Sequence, residues 1–375
     1  MAKKKKLTKR QKMRRRRKRI LIAEGLVLVL LVGFLFAWLK LGLINFDNIG
    51  EMATNDLDEE TQAMLSGYTT IALFGVDNRS NGNYESGNSD SIMICSINNE
   101  TKEVKIVSVY RDTVFDVDGD RKFRKANYAY NHGGAEEAIE MLNRNLDLDI
   151  QDYVAVDFNA LVEAVDAVGG VEITLTQDEI DIIEEKGYMN EVASVTGHTD
   201  EIVSLSPGTQ TVNGVVATAY CRIRYTSGGD FARAERQRTV VSQLIEKAQS
   251  ASLTQLNALI NAVFPDISTS LSLTQLISLA SAMKDYTLAD TTGFPFALQT
   301  ATWSSSVGSV DVPCTLESNV KELYAYLYDD DDYEPSAVVQ DISDEIASHT
   351  GYDETDAVDY GYGTTQTSDG EDSSE

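Results

Sequence analysis

Residues 20 to 39 are apolar apart from Glu24, and Leu41 to Ile44 extend the run. A helix of about twenty residues rises roughly 30 Å, the thickness of a hydrocarbon core. Ahead of the run, residues 1–19 hold 13 Lys/Arg and no acid; behind it come Asp47, Glu51, Asp56, Asp58, Glu59 and Glu60. That asymmetry puts the N-terminus in the cytoplasm and everything from residue 45 outside. Glu24 lies about one turn inside the cytoplasmic end, within reach of headgroups or of the preceding arginines. A cleaved signal peptide fits less well. Its apolar region is about 7–15 residues long and ends in small side chains, whereas this one ends in Phe34-Leu35-Phe36-Ala37-Trp38-Leu39. The expectation is an uncleaved single-pass anchor in the cell membrane, with the basic block also holding anionic headgroups. Nucleic acid is the other partner such a block suggests. The span directly after it and the acidic remainder argue against that, and no nucleic-acid partner is expected.

The remainder is strongly acidic: residues 40–375 hold 58 Asp+Glu against 19 Lys+Arg. Yet five of those bases fall in residues 111–125 and five more in 222–238. Such clusters repel themselves unless something anionic sits among them. Arg is the side chain suited to bidentate phosphate binding. The two windows point to a phosphate site built from distant segments.

Along the chain, residues 1–19 read as the cytoplasmic segment, 20–44 as the transmembrane helix and 45–66 as an acidic stalk. Residues 67–345 read as one extracellular domain. Within it, Thr69–Val76, Ser91–Ile97, Val104–Val109, Tyr153–Phe158, Val171–Leu175 and Thr218–Arg224 have strand character. Helical spacing marks Gly134–Leu146, Asn159–Val168 (stopped by Gly169-Gly170), Phe231–Ser250 and the stretches near 253–263 and 272–284. Residues 176–215 show no clear period, and no internal repeat is evident. Alternating strands and helices predict an α/β fold, a layered mixed sheet flanked by helices. The end, 346–375, is acidic with little to bury and reads as a disordered tail. Cys95, Cys221 and Cys314 are too few for a disulfide framework. They read as buried thiols, with a Cys95–Cys221 bridge left open.

Four groups of residues carry chemistry. On a strand, Arg222 and Arg224 share a face while Ile223 packs the other way. Asp230 fits a helix N-cap, and Arg233, Arg236 and Gln237 follow at i, i+3 and i+4 on one helix face. Arginines near a helix N-terminus oppose its dipole, which makes sense if an anion sits there. Asp77 ends one strand and Asp90 starts the next. Two carboxylates with phosphate oxygens and water suit Mg²⁺, or Mn²⁺ in its place. Arg111 follows a β-branched strand, with Lys122, Arg124, Lys125 and Asn127 downstream. The three histidines (His132, His198, His349) have no metal-ligand spacing, and there is no G-x-S-x-G elbow or Walker-type loop. Arginines and carboxylates without a histidine base point to phosphoryl chemistry, which is mostly positioning and charge stabilisation.

At these residues the chain resembles the LytR–CpsA–Psr family of bacterial cell-envelope phosphotransferases. The resemblance rests on Gly75-x-Asp77-x-Arg79, Ser89-Asp90, Ser108-x-x-Arg111-Asp112-Thr113, Lys125-x-Asn127, Gly169-Gly170-Val171, Gly208…Asn213-Gly214 and Arg222-x-Arg224…Asp230-x-x-Arg233-x-x-Arg236-Gln237. It implies transfer of a glycopolymer, of the teichoic acid or capsular polysaccharide kind, from a polyprenyl-pyrophosphate carrier onto a peptidoglycan sugar hydroxyl through a phosphodiester. It further implies that Asp77 and Asp90 hold Mg²⁺. Arg79, Arg111, Lys125, Arg222, Arg224, Arg233, Arg236 and Gln237 would surround the pyrophosphate, and the prenyl chain would lie in an apolar groove. Arg111 or Arg224 would be indispensable in catalysis, and the base would be Asp90, or Asp77 if it is not fully committed to metal. Two positions depart from the family pattern: Asn88 stands where an arginine is usual, and Tyr110 where a proline is. Hydrolysis of the lipid pyrophosphate and non-catalytic binding of envelope lipids or glycans are the competing readings.

Overall fold

The structure, a computed structural model, describes residues 45–77, 84 and 87–363. The basic segment, the apolar run read as an anchor, Arg79 and residues 364–375 lie outside the described residues. The chain enters at β1 (Asn45–Phe46) and passes through α1 (Glu59–Leu65), which Asp58 caps by accepting from the Thr61 N–H. It then runs through β2 (Tyr68–Val76), β3 (Ser89–Asn98) and β4 (Glu103–Val109), each antiparallel to the one before. Period-two alternation sets their faces. Ala72, Phe74, Ile92, Ile94, Val107 and Val109 pack into one large core, and Leu73, Met93, Ile97 and Ile106 point the opposite way. Both faces are apolar because both are covered.

A short hairpin of β5 (Val114–Phe115) and β6 (Arg124–Lys125) leads into α2 (Ala126–Leu146), which covers the first face. Next, β7 (Asp152–Val156) pairs parallel to β2. A second, smaller core follows, made of α3 (Phe158–Ala167), β8 (Val171–Leu175), α4 (Gln177–Glu185), α5 (Tyr188–Thr196), β9 (Gly208–Val212) and α6 (Gly214–Tyr220). The long α7 (Gly229–Ser250) lies against the second face of the sheet through Val241 and Ile245. Then come α8 (Leu253–Val263), β10 (Ile267–Thr269), α9 (Leu273–Ala282), β11 (Thr287–Phe294), β12 (Leu298–Ser304), β13 (Gly308–Pro313), α10 (Leu316–Tyr328) and α11 (Ala337–Thr350). The central sheet has the order β1-β10-β7-β2-β3-β4-β11 with mixed pairing. This is the layered mixed α/β sheet that the alternation of elements implies.

Several expectations change. Residues 218–224 form no strand: α6 ends at Tyr220, and Arg222 to Arg224 lie in the turn after it. Ala, Val and Thr suit either state, and the Asn213 side chain decides it by capping α6, accepting from the Val216 N–H. Residues 176–215 contain α4, α5 and β9, which are too short to show a period. The helix read from Gly134 begins at Ala126, with a break at Gly133 and Gly134. The 45–66 segment is no stalk, since Met52, Leu57 and Leu65 are buried in the main core. The 346 boundary falls inside α11, and the chain stays packed to Gly363. All three cysteines are free thiols, and burial pushes those of Cys95 and Cys221 up to about 12.

Asp147 explains why the segments around Asn55 and Ser336 belong to the domain. It terminates α2 in the left-handed conformation that Asp tolerates, with φ 53°. Its buried carboxylate accepts from Asn55 Nδ2 (2.6 Å), Ser336 N (2.7 Å), Ser336 Oγ (2.7 Å) and Tyr333 Oη (3.0 Å). One side chain thus ties the N-terminal segment, α2 and the start of α11. Asp147→Ala leaves those donors buried without an acceptor and should cost about 3 kcal/mol or more. Urea denaturation checks this, and a loss under about 1 kcal/mol would contradict it.

Candidate active site

The β2–β3 connection brings Asp77 and Asp90 to one end of the sheet. Asp77 follows the last residue of β2 and donates its N–H to Asn88 O (3.2 Å), while Asp90 is the second residue of β3. Gly75 permits the approach, because a Cβ there would lie 2.9 Å from the Ser91 Cβ. Arg111, just past β4, reaches Asp90 Oδ1 with Nη1 at 2.7 Å. Arg224, from the turn after α6, reaches Asp90 Oδ2 with Nη2 at 2.9 Å. Arg233, on the second turn of α7, donates Nη2 to the Asp90 carbonyl at 3.1 Å. Three guanidinium groups from two distant windows therefore converge on one residue.

Asp230 balances them from the first turn of α7. Its carboxylate lies 3.0 Å from Arg233 Nη2, 3.6 Å from Arg111 Nε and 3.9 Å from Arg224 Nε. It is not the N-cap. Gly228 holds that place in a left-handed conformation, φ 86°. Burial acts to raise the Asp90 carboxyl, but Arg111, Arg233 and Arg224 outweigh it and hold the group below the usual range. For Arg233 the balance is reversed: burial, reinforced by Arg224 and Arg111, lowers it to about 10 against the pull of Asp230 and Asp90. It remains a cation at neutral pH. Arg111 Nε, Arg222 Nη1 and Arg233 Nε are buried and make no hydrogen bond among the described residues. Buried guanidinium donors crowded together suit an added anion with several oxygens.

A cavity of about 430 Å³ opens beside this cluster. Its lining joins a polar group, Asp77, Asp90, Arg222, Arg224, Arg233 and Gln237, to apolar side chains that include Leu73, Met93, Leu161, Val240, Leu244 and Val263. Arg222 is held at the wall by Glu191 (3.0 Å) and lies over the rings of Phe158 and Tyr188 at 5.0 and 5.2 Å. Gln237 donates to Cys221 O at 3.4 Å. Arg111 meets the cavity through Asp90. Lys125 stands one step further out, 3.3 Å from Asp112, whose other neighbour is Arg111 Nε at 3.6 Å.

Arg236 departs from the expectation of a shared face with Arg233. It turns away from the cavity onto Glu179 (2.8 Å), Ile223 O (3.2 Å) and Thr226 Oγ1 (2.7 Å). A buried Arg–carboxylate pair here fixes the turn that carries Arg222 and Arg224. Glu179 is 57 positions away, so no local pattern reveals it. The C-terminal segment is the other unforeseen support. Tyr362 donates its hydroxyl to Ser227 O (3.1 Å), and its carbonyl accepts from Tyr110 Oη (3.0 Å) and Arg238 Nη2 (3.1 Å). A Cβ at Gly228 would overlap the Tyr362 ring. Tyr110 also gives its N–H to Phe294 O at 2.9 Å, a bond that proline could not make. The departure at position 110 thus couples the Arg111 turn to the C-terminal segment at Tyr362.

Asp311 on β13, also unforeseen, lies behind Asp112. Its N–H donates to Asp112 O at 2.9 Å. Burial first, then Asp112 and Asp230, push its carboxyl from 3.8 up to about 7. The raised folded-state value means that stability from this group is present below pH ~4 and lost as pH rises through ~7. Urea denaturation of wild type and Asp311→Asn should show the wild type losing stability relative to the variant across that window. A difference independent of pH would contradict the assignment.

Comparison with known proteins places these features in context. The LytR_cpsA_psr family model matches residues 43–304. Polyisoprenyl-teichoic acid–peptidoglycan teichoic acid transferase TagU of Enterococcus faecalis is 30% identical over 217 residues, 56% of this chain and 64% of that one. The TagV transferase of the same description from Bacillus subtilis is 26% identical over 278 residues, 72% of this chain and 68% of that one. The chain thus spans just under two thirds of the Enterococcus relative. The crystal structure of protein gbs0355 from Streptococcus agalactiae aligns with a TM-score of 0.60 at 25% identity, over 72% of this chain and 90% of that chain.

Proposed function

The chain belongs to the LytR_cpsA_psr family, and on that premise we propose that it is a membrane-anchored phosphotransferase. It moves a glycopolymer from a polyprenyl-pyrophosphate carrier onto a sugar hydroxyl of peptidoglycan. The relatives' names as teichoic acid–peptidoglycan transferases support this class of reaction. The observation that carries the reading is one cavity with two natures. Arg222, Arg224 and Arg233 line it together with apolar side chains such as Leu73, Met93, Leu161, Val240 and Leu244. A prenyl pyrophosphate has the same division, an anionic head on an apolar tail.

In this reading Arg224 and Arg233 bind the pyrophosphate directly, and Arg111 joins them from across Asp90. Arg222 closes the near wall. The acceptor hydroxyl attacks the phosphorus that bears the glycan. The new P–O bond forms as the bond to the carrier's other phosphate breaks, and prenyl phosphate leaves with the bonding pair. The hydroxyl proton passes to a carboxylate lining the cavity, Asp77 or Asp90. Negative charge grows on the bridging and leaving oxygens, which is where preorganised guanidinium groups are most effective. Asp77 and Asp90, which both line the cavity, would hold Mg²⁺. Each Asp90 oxygen takes one arginine donor and keeps lone-pair capacity. When bound, the ion would neutralise phosphate charge. Arg236 and Lys125 act one step back, by holding the arginine turn and Asp112.

The test is transfer by the full chain. Lipid-pyrophosphate glycan, peptidoglycan fragments and Mg²⁺ are incubated with wild type, Arg111→Ala and Arg224→Ala. Glycan should appear on the acceptor, with a rate loss of roughly 10³ in each variant. Release of the glycan to water instead of acceptor would make the protein a hydrolase. Equal yields from wild type and both variants would remove the arginine mechanism.

A further inference from the structure

The turn after α6 reads Arg222-Ile223-Arg224-Tyr225-Thr226, and four of these five residues are fastened. Glu191 holds Arg222 at 3.0 Å. Ile223 is fully buried, and its carbonyl accepts from Arg236 Nη1 at 3.2 Å. Arg224 is paired with Asp90 at 2.9 Å, and Thr226 Oγ1 accepts from Arg236 Nη2 at 2.7 Å. Tyr225 alone of the five is exposed. At 67% it is the most exposed of the large apolar side chains among the described residues. A lone exposed ring needs no explanation in itself. This one, however, lines the cavity together with Arg222, Arg224 and Arg233. A side chain that lines a cavity and is mostly in water stands where that cavity opens.

The ring has fixed company. Lys186, the C-cap of α4, places its ammonium 4.7 Å from the ring centroid and pairs with Glu185 at 2.9 Å. Arg222 ties the same turn to the same stretch of chain, through Glu191 and through the ring of Tyr188 at 5.2 Å. A ring face, an ammonium donor and a carboxylate acceptor are thus grouped beside a firmly held turn. A pyranose presents the complementary groups, an apolar C–H face with hydroxyls around its edge. Tyrosine makes such contacts at low entropic cost, since only two χ angles are fixed. A prenyl chain would use the ring face but would strip water from the charged pair without replacing its hydrogen bonds.

We propose that Tyr225, with Lys186 and Glu185, forms a saccharide subsite for the donor's first sugar, the one bonded to the pyrophosphate. The proposal rests on the reading of the cavity as the lipid-pyrophosphate site. On that reading Arg224 binds the phosphates, and the next residue is Tyr225. The first sugar follows directly on the phosphate under attack. The rest of the glycan continues from it, so the sugar belongs where the cavity meets solvent.

Calorimetric titration of the full chain, with Mg²⁺ present, tests it with two probes. One is geranyl pyrophosphate; the other is geranyl pyrophosphate carrying N-acetylglucosamine on its terminal phosphate. Each is titrated into wild type, Tyr225→Ala and Tyr225→Phe. The side chain is exposed, so neither substitution puts folding at stake. Tyr225→Ala should weaken the sugar-bearing probe roughly fivefold to tenfold, the loss of one aromatic face, and leave plain geranyl pyrophosphate unchanged. Tyr225→Phe keeps the face and should bind both probes as wild type does. Equal weakening of both probes in Tyr225→Ala would place the ring on the carrier and overturn the subsite. Binding of both probes that Tyr225→Ala leaves unchanged would also overturn it, while the pyrophosphate site stands. Binding of neither probe to wild type would overturn both.

Discussion

The site depends on the pairing of one carboxylate with guanidinium groups that come from far apart in the chain. Asp90 joins β3 to Arg111 past β4 and to Arg224 and Arg233, over 130 positions downstream. Partly buried charges of one sign cannot be assembled without compensation. Asp90 and Asp230 supply it here, and so hold Arg111, Arg224 and Arg233 together before any substrate arrives. On the proposed reading, guanidinium groups preorganised in this way need no reorganisation when phosphate charge develops between them.

Around that pairing the fold provides a succession of supports. The sheet end fixes Asp77 and Asp90, and Glu179 fixes Arg236 and through it the Arg224 turn. Tyr362 locks Ser227 and Gly228 from outside, while Tyr110 links the same C-terminal residues to the Arg111 side. The chain's last described residues are thus part of the machinery that sets arginine geometry. Asp147 makes the same point elsewhere in the domain, by binding Asn55 and Ser336 into one network.

Much of this was legible in the sequence, because both faces of β2, β3 and β4 are apolar and because like charges in an acidic chain stand out. The windows 111–125 and 222–238 do supply the arginines at the site. What could not be read was decided by long-range contact. Residues 218–220 have no strong propensity of their own, and a cap at Asn213 turns them into helix. Arg236 and Arg233 share a helix but not a partner, since only Arg236 meets Glu179. The end of the chain reads as acidic and polar, yet Tyr352, Tyr360 and Tyr362 find apolar surface that exists only once β12 and α7 are in place. Composition alone does not reveal such a surface.

The central claim is that the arginines around Asp90 bind the head of a lipid pyrophosphate whose tail lies in the adjoining cavity. Calorimetric titration of geranyl pyrophosphate into the full chain, with Mg²⁺ present, tests it most directly. The account expects binding to wild type and a weakening of at least about thirtyfold in Arg224→Ala, the loss typical of a close charge pair. No binding to the wild type, or equal binding to the variant, would contradict it.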